Sequence, residues 1–122
     1  MIVVDTDVLI DFFHGIPGAV ELITNPKDTL IFSAITEAEL LAGSICSENS
    51  EREKVFRVLS QFEKIPVDNP PVITAGNIRR AAGINLIDAI IASTAMHADA
   101  TLFSRNVKDF EKIEGLKIKK PY

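Results

Sequence analysis

A chain of 122 residues with 47% apolar side chains is long enough for one packed domain, and no stretch of it approaches the roughly 20 apolar residues of a membrane helix. Its formal charge of −4 argues against a simple nucleic-acid binder, whose phosphate-facing surface is ordinarily basic. The charge is uneven, however: residues 1–63 hold 4 Lys/Arg against 11 Asp/Glu and residues 64–122 hold 9 against 6, which leaves room for a nuclease whose bound cations change the charge of an acidic site.

In chain order, Ile2-Val3-Val4 is a β-branched run that predicts a buried strand ending at Asp5. Val8, Leu9, Phe12 and Phe13 recur at helical spacing, with Gly15 as a stop. The acids at 5, 7 and 11 interrupt this N-terminal stretch, so it does not read as a signal peptide. Pro17 opens a second helix that Asn25-Pro26 ends, and Thr29 to Phe32 predicts the second strand. Thr36 to Ile45 reads as a helix. Cys46, the only cysteine, reads as a small buried side chain and fits a reducing, cytoplasmic setting.

Ser50 to Phe62 predicts an amphipathic helix with Val55, Phe56, Leu59 and Phe62 inward. Lys64 to Val67 is the third strand candidate, followed by a loop at Asp68-Asn69-Pro70-Pro71. Helices are expected over Val72–Ala82, closed by Gly83, and over Ile87–Ala98. Ala100 to Ser104 is the fourth strand candidate, Val107 to Ile113 a short helix, and Leu116 to Lys120 an edge strand whose lysines discourage further pairing. Short apolar strands alternating with helices predict an α/β fold, with a parallel sheet covered on both faces and one domain over residues 1–122.

In open parallel sheets ligands gather at the carboxyl ends of strands. Asp5 ends the first strand; Ser33 follows the second, with Glu39 a turn or so into the next helix. Asn106 follows the fourth strand, with Asp109 three residues on, and Asp88 starts the helix before that strand. Carboxylates gathered in this way can hold Mg²⁺ or Mn²⁺, which polarises a phosphate and lowers the pKa of a bound water. Each acid also has a plainer reading. Asp5 and Asp88 can be helix N-caps, Thr36 and Glu39 have the spacing of a capping box, and Asp109 can complement a helix start. His14 and His97 lack the spacing of a zinc site, and there is no Gly-rich phosphate loop or nucleophile elbow.

Four segments carry a resemblance. Val3–Asp11 (VVDTDVLID), Ser33–Gly43 (SAITEAELLAG), Asp88–Ala95 (DAIIASTA) and Thr101–Phe110 (TLFSRNVKDF) resemble, in order, the four motifs of the PIN-domain family, and the likeness is nearest to its VapC-type toxins. The resemblance implies a three-layer α/β/α fold with a short central parallel sheet. It also implies a Mg²⁺- or Mn²⁺-dependent endoribonuclease, acting on RNA such as tRNA. By position Asp5, Glu39 and Asp88 would hold the metal, with Thr6 and Ser104 as polar supports. Many relatives have aspartate where this chain has Asn106, so the fourth catalytic position stays open between Asn106 and Asp109. The resemblance further implies a VapB-type antitoxin as partner, a homodimer, and contact with DNA only through the antitoxin; Phe12, Phe13 and Leu41, clustered in sequence, are read either as the apolar groove that such a partner covers or as ordinary core. Two alternatives stand beside it: a PIN fold that binds RNA or a partner without cutting, and a receiver-type signalling domain.

Overall fold

The computed structural model describes residues 1–122. A parallel five-stranded sheet is formed by β1 (Ile2–Val4), β2 (Leu30–Ser33), β3 (Glu63–Ile65), β4 (Thr101–Phe103) and β5 (Ile118–Lys119), in the order β3-β2-β1-β4-β5. The connecting helices are α1 (Thr6–Phe13), α2 (Pro17–Thr24), α3 (Ala34–Ala42), α4 (Asn49–Leu59), α5 (Pro71–Ala82), α6 (Leu86–His97) and α7 (Val107–Phe110), with a 3₁₀ turn at Ser44–Cys46. This strand order removes the receiver-type alternative, whose sheet runs 2-1-3-4-5. No helix is long and apolar enough to cross a membrane.

Because side chains alternate across a strand, three-residue strands suffice to serve two cores. Val3, Ile31 and Leu102 point to one face and pack with Ala75 and Ile78 of α5, Ala89, Ile91, Ala92 and Ala95 of α6, and Phe110 of α7. Ile2, Val4, Leu30 and Phe32 point to the other, against Val8 and Leu9 of α1, Ile23 of α2, Leu40 of α3, and Val55 and Leu59 of α4. Cys46 is buried in this second core as a free thiol. The small residues along α6 let it lie close on the sheet.

Several boundaries differ from the sequence-based expectation. The third strand is Glu63–Ile65, earlier than Lys64–Val67, because pairing is set by register with β2 (Ile31↔Glu63) and not by apolarity on this exposed edge. The helix expected from Thr36 starts at Ala34 and stops at Ala42, where Gly43 turns extended. The short helix after β4 ends at Phe110, three residues early.

The sheet also fixes where the site lies. From β1 the chain steps outward through β2 to β3, then returns to the other side of β1 to lay down β4 and β5. The switch point is therefore the gap between β1 and β4, and the residues just beyond their ends are Asp5 and Ser104. Leu102, fully buried at the centre of the first core, tests this packing: Leu102→Ala is expected to lower unfolding free energy by about 2–5 kcal/mol, measured by urea titration. A loss under about 1 kcal/mol would mean that β4 is not a central strand.

Candidate acidic site at the switch point

Asp5 leaves β1 in an extended conformation and caps α1, its Oδ1 accepting the Thr6 N–H at 2.8 Å. Its Oδ2 accepts the Ser104 hydroxyl at 2.7 Å, and Ser104 Oγ in turn accepts the Asn106 N–H at 2.9 Å. The cap and the site are thus one side chain, and the two readings of Asp5 do not compete. The carboxyl is only 5% exposed. Burial first, and then the charge of Asp7, push its pKa up to about 7; the hydrogen bonds from Ser104 and Thr6 hold it down and Asp88 adds to the rise.

Glu39 does not join a capping box. Ser33 caps α3, its Oγ accepting the Ile35 N–H at 3.3 Å, so Thr36 lies inside the helix and Glu39 beyond its first turn. Glu39 Oε1 instead accepts the Thr6 hydroxyl at 2.6 Å. That hydroxyl has one proton, so the Thr36 hydroxyl 3.1 Å away is left to donate to Thr6. Asp88 is not the cap of α6 either. Asn85 is: its Oδ1 accepts the Asp88 N–H at 2.9 Å while its Nδ2 donates to Asp88 Oδ2 at 2.7 Å. This reciprocal pair orients the Asp88 carboxylate. Burial raises the pKa of Asp88, the Asn85 hydrogen bond opposes the rise, and the charge of Asp109 adds to it.

One hollow is lined by Asp5, Thr6, Asp7, Ile10, Glu39, Asp88 and Asn106. Three of the four expected acids line it. Asp109 does not; it sits at the edge, accepting the Asn106 Nδ2 at 3.1 Å and facing Lys112 Nζ at 3.7 Å. Asn106 precedes α7 but makes no side-chain cap.

Asp7 also lines the hollow, and sequence reasoning missed it as a site residue. Its Oδ2 accepts the Arg105 N–H at 3.1 Å, a partner 98 residues away, and its Oδ1 is buried with no hydrogen-bond partner. The only sequence signal was its place two residues after Asp5, and a helix start explains that equally well. Burial raises its pKa, against the Arg105 N–H and the Arg105 charge.

The donor set suits a hard, hydrated cation: oxygen donors, mostly carboxylate, one of them buried without a hydrogen bond, and one carboxyl whose raised pKa a bound cation would bring back down. No three acidic or imidazole groups stand close enough to ligate one ion directly as they lie. Mg²⁺ does not require that, since it keeps several waters and binds through one or two carboxylates. Asp5, Asp7, Glu39 and Asp88 are the residues that would hold it.

The raised Asp5 pKa fixes a sign. A carboxyl whose folded pKa lies above its unfolded value of 3.8 favours folding while protonated, and that contribution is lost as pH rises through about 7. In chelator, the advantage of Asp5→Asn over wild type in unfolding free energy is expected to grow by about 2–3 kcal/mol between pH 5 and pH 8, read from denaturant titrations. A pH-independent difference would show that Asp5 ionises freely.

Comparison with known proteins bears on the family and the fold. Ribonuclease VapC10 from Mycobacterium tuberculosis is 36% identical, over 96% of this chain and 91% of its own. Among solved structures, a chain of a toxin–antitoxin complex from Klebsiella pneumoniae superposes with a TM-score of 0.87 at 29% identity, covering 100% of this chain and 98% of that one. A chain of VapBC2 from Rickettsia felis, bound to a DNA fragment from its promoter, reaches 0.81 at 26% identity, with 98% of each chain covered. The family model described as PIN domain matches residues 2–116, spanning every strand but β5 and all the acids of the hollow. The chain belongs to the PIN domain family.

Proposed function

We propose that the chain is a Mg²⁺- or Mn²⁺-dependent endoribonuclease and the toxin of a VapBC-type toxin–antitoxin pair. The observation that carries this reading is the hollow at the switch point, where Asp5, Asp7, Glu39 and Asp88 converge from α1, α3 and α6. The likeness to a ribonuclease along nearly the whole chain supports RNA as the substrate. A bound divalent cation would supply charge to polarise the scissile phosphate and a water acidic enough to attack it.

The chain's own residues prepare that chemistry. Ser104 and the Thr6 amide fix both oxygens of Asp5. Thr6 turns Glu39 toward the same hollow, and Asn85 holds one oxygen of Asp88 and leaves the other free. Asn106 offers a neutral amide whose orientation is set by Asp109. No histidine lines the hollow, so its carboxylates are the only side chains there that could take a proton from a water.

A VapB-type antitoxin is the proposed partner, as the toxin–antitoxin complex similar to this chain suggests. Phe12 and Phe13 pack edge to face, both partly buried. Phe13, Ile45 and Val55 line a depression with His14, Ser44, Glu51 and Lys54, which suits an apolar anchor flanked by charge. DNA would be met only through that partner, and a homodimer is proposed with it.

The purified chain is expected to cut RNA with Mg²⁺ or Mn²⁺ and not in chelator. Asp5→Asn or Asp88→Asn should reduce the rate by a factor of about 1,000, as removal of several kcal/mol of charge stabilisation implies, with metal-free melting temperature equal or higher. Unfolding of both variants would reduce these acids to a purely structural role. At the fourth position, Asn106→Asp should preserve cleavage and tighten Mn²⁺ binding in calorimetry, and Asp109→Asn should weaken cleavage more than folding. Unchanged Mn²⁺ affinity in Asn106→Asp would place residue 106 outside the metal's reach.

A further inference from the structure

The acidic hollow has no basic side chain in its lining, yet the proposed substrate is a polyanion. The basic side chains around it differ in how they are engaged. Lys112 faces Asp109, Arg79 donates to the carbonyls of Gly83 and Ile84, and Lys108 is exposed without a bond to any lining residue. Arg105 is different. Its own N–H is bonded to Asp7, which lines the hollow; the residue before it, Ser104, holds Asp5, and the residue after it, Asn106, lines the hollow too.

Its side chain is held at a second point. Arg105 Nε lies 2.7 Å from Asp11 Oδ2, with the arginine side chain 48% and the aspartate 14% exposed. Asp7 and Asp11 are four residues apart on α1 and so share a face. One takes the backbone of Arg105 and the other its guanidinium. The Nη groups have no partner in the chain, which leaves a planar edge of N–H donors of the kind that matches a phosphate. Asp11 has a second donor, the Tyr122 hydroxyl, so it stays hydrogen-bonded if a phosphate draws the guanidinium away. The guanidinium is the exposed half of this pair, so solvent screens it and can receive it when it leaves Asp11.

We propose that Arg105 is the substrate-positioning residue of the site: parked on Asp11 in the free chain, its guanidinium passes to an RNA phosphate beside the acids and seats the strand over the hollow. This rests on the ribonuclease reading. The competing role is purely structural, with the Arg105–Asp11 pair pinning the β4–α7 loop to α1.

Steady-state cleavage of two probes, a mixed-sequence single-stranded RNA and unfractionated tRNA, separates the cases when run over a series of salt concentrations. Arg105→Ala is expected to raise KM about tenfold and leave kcat within about threefold. The slope of log(1/KM) against log salt should shrink by about 0.7–0.9, the loss of one phosphate contact. Arg105→Lys, which keeps the charge without the fork, should retain the wild-type slope with a smaller rise in KM, and it serves if the alanine variant does not fold. Asp11→Asn should leave KM unchanged or lower it. A rise in KM in Asp11→Asn equal to that in Arg105→Ala would show loop support and overturn the proposal, as would unchanged KM and slope in Arg105→Ala. A wild-type chain that cuts neither RNA under any divalent metal would remove the ribonuclease reading and this inference together; wild-type cleavage with an indifferent Arg105 would remove this inference alone.

Discussion

A carboxylate buried at the end of the central strand is the constraint on which the rest of the site depends. Asp5 cannot move away from the core, because the strand that delivers it, β1, lies between β2 and β4 and feeds directly into α1. Its ionisation is opposed as well, by burial and by the charge of Asp7. The fold tolerates this by giving each of its oxygens a donor. An apolar residue there would spare the protein the cost of burying a charge. Keeping an acid in that position makes sense where a cation is to be received.

Glu39 and Asp88, like Asp5, are held by short side chains with few protons to give, and Asp7 by a backbone N–H, so the arrangement is a matter of who donates to whom. Thr6 spends its proton on Glu39 and must itself be served by Thr36; Ser104 spends its proton on Asp5 and accepts from Asn106. Hydroxyls and amides fix direction without neutralising charge, unlike lysine or arginine. The hollow therefore keeps its negative potential, and the Arg105 guanidinium is paired with Asp11, outside the lining.

Much of this was legible in the sequence because short-range physics decides it. A β-branched triplet ending in aspartate marks both the central strand and the residue beyond it, and Asp5, Glu39 and Asp88 could be placed at strand ends or helix starts from chain order alone. What was not legible depends on the third dimension. The T-x-x-E spacing at Thr36 and Glu39 mimics a capping box, but the helix begins earlier on Ser33, and Thr6, 33 residues away, claims Glu39. Asp88 resembled a cap because the true cap, Asn85, lay in a stretch without periodicity. Asp7 gave no sign of its orphaned oxygen, since the neighbours that surround it come from the far end of the chain. The edge strand β3 was misplaced because its exposed residues carry no burial pattern.

The contact between Ser104 and Asp5 spans 99 residues of chain, and β1 has β4 as one of its two neighbours. Pairings of such long range form late, since loop closure must precede them. During synthesis the segment bearing Asp5 leaves the ribosome long before the strand that completes its surroundings, and domains generally fold as units. A nascent or truncated chain thus carries the acids dispersed, without the hydroxyl that orients Asp5 or the loop that bears Arg105. The topology itself delays the assembly of the acidic centre until β4 and the loop after it have been made.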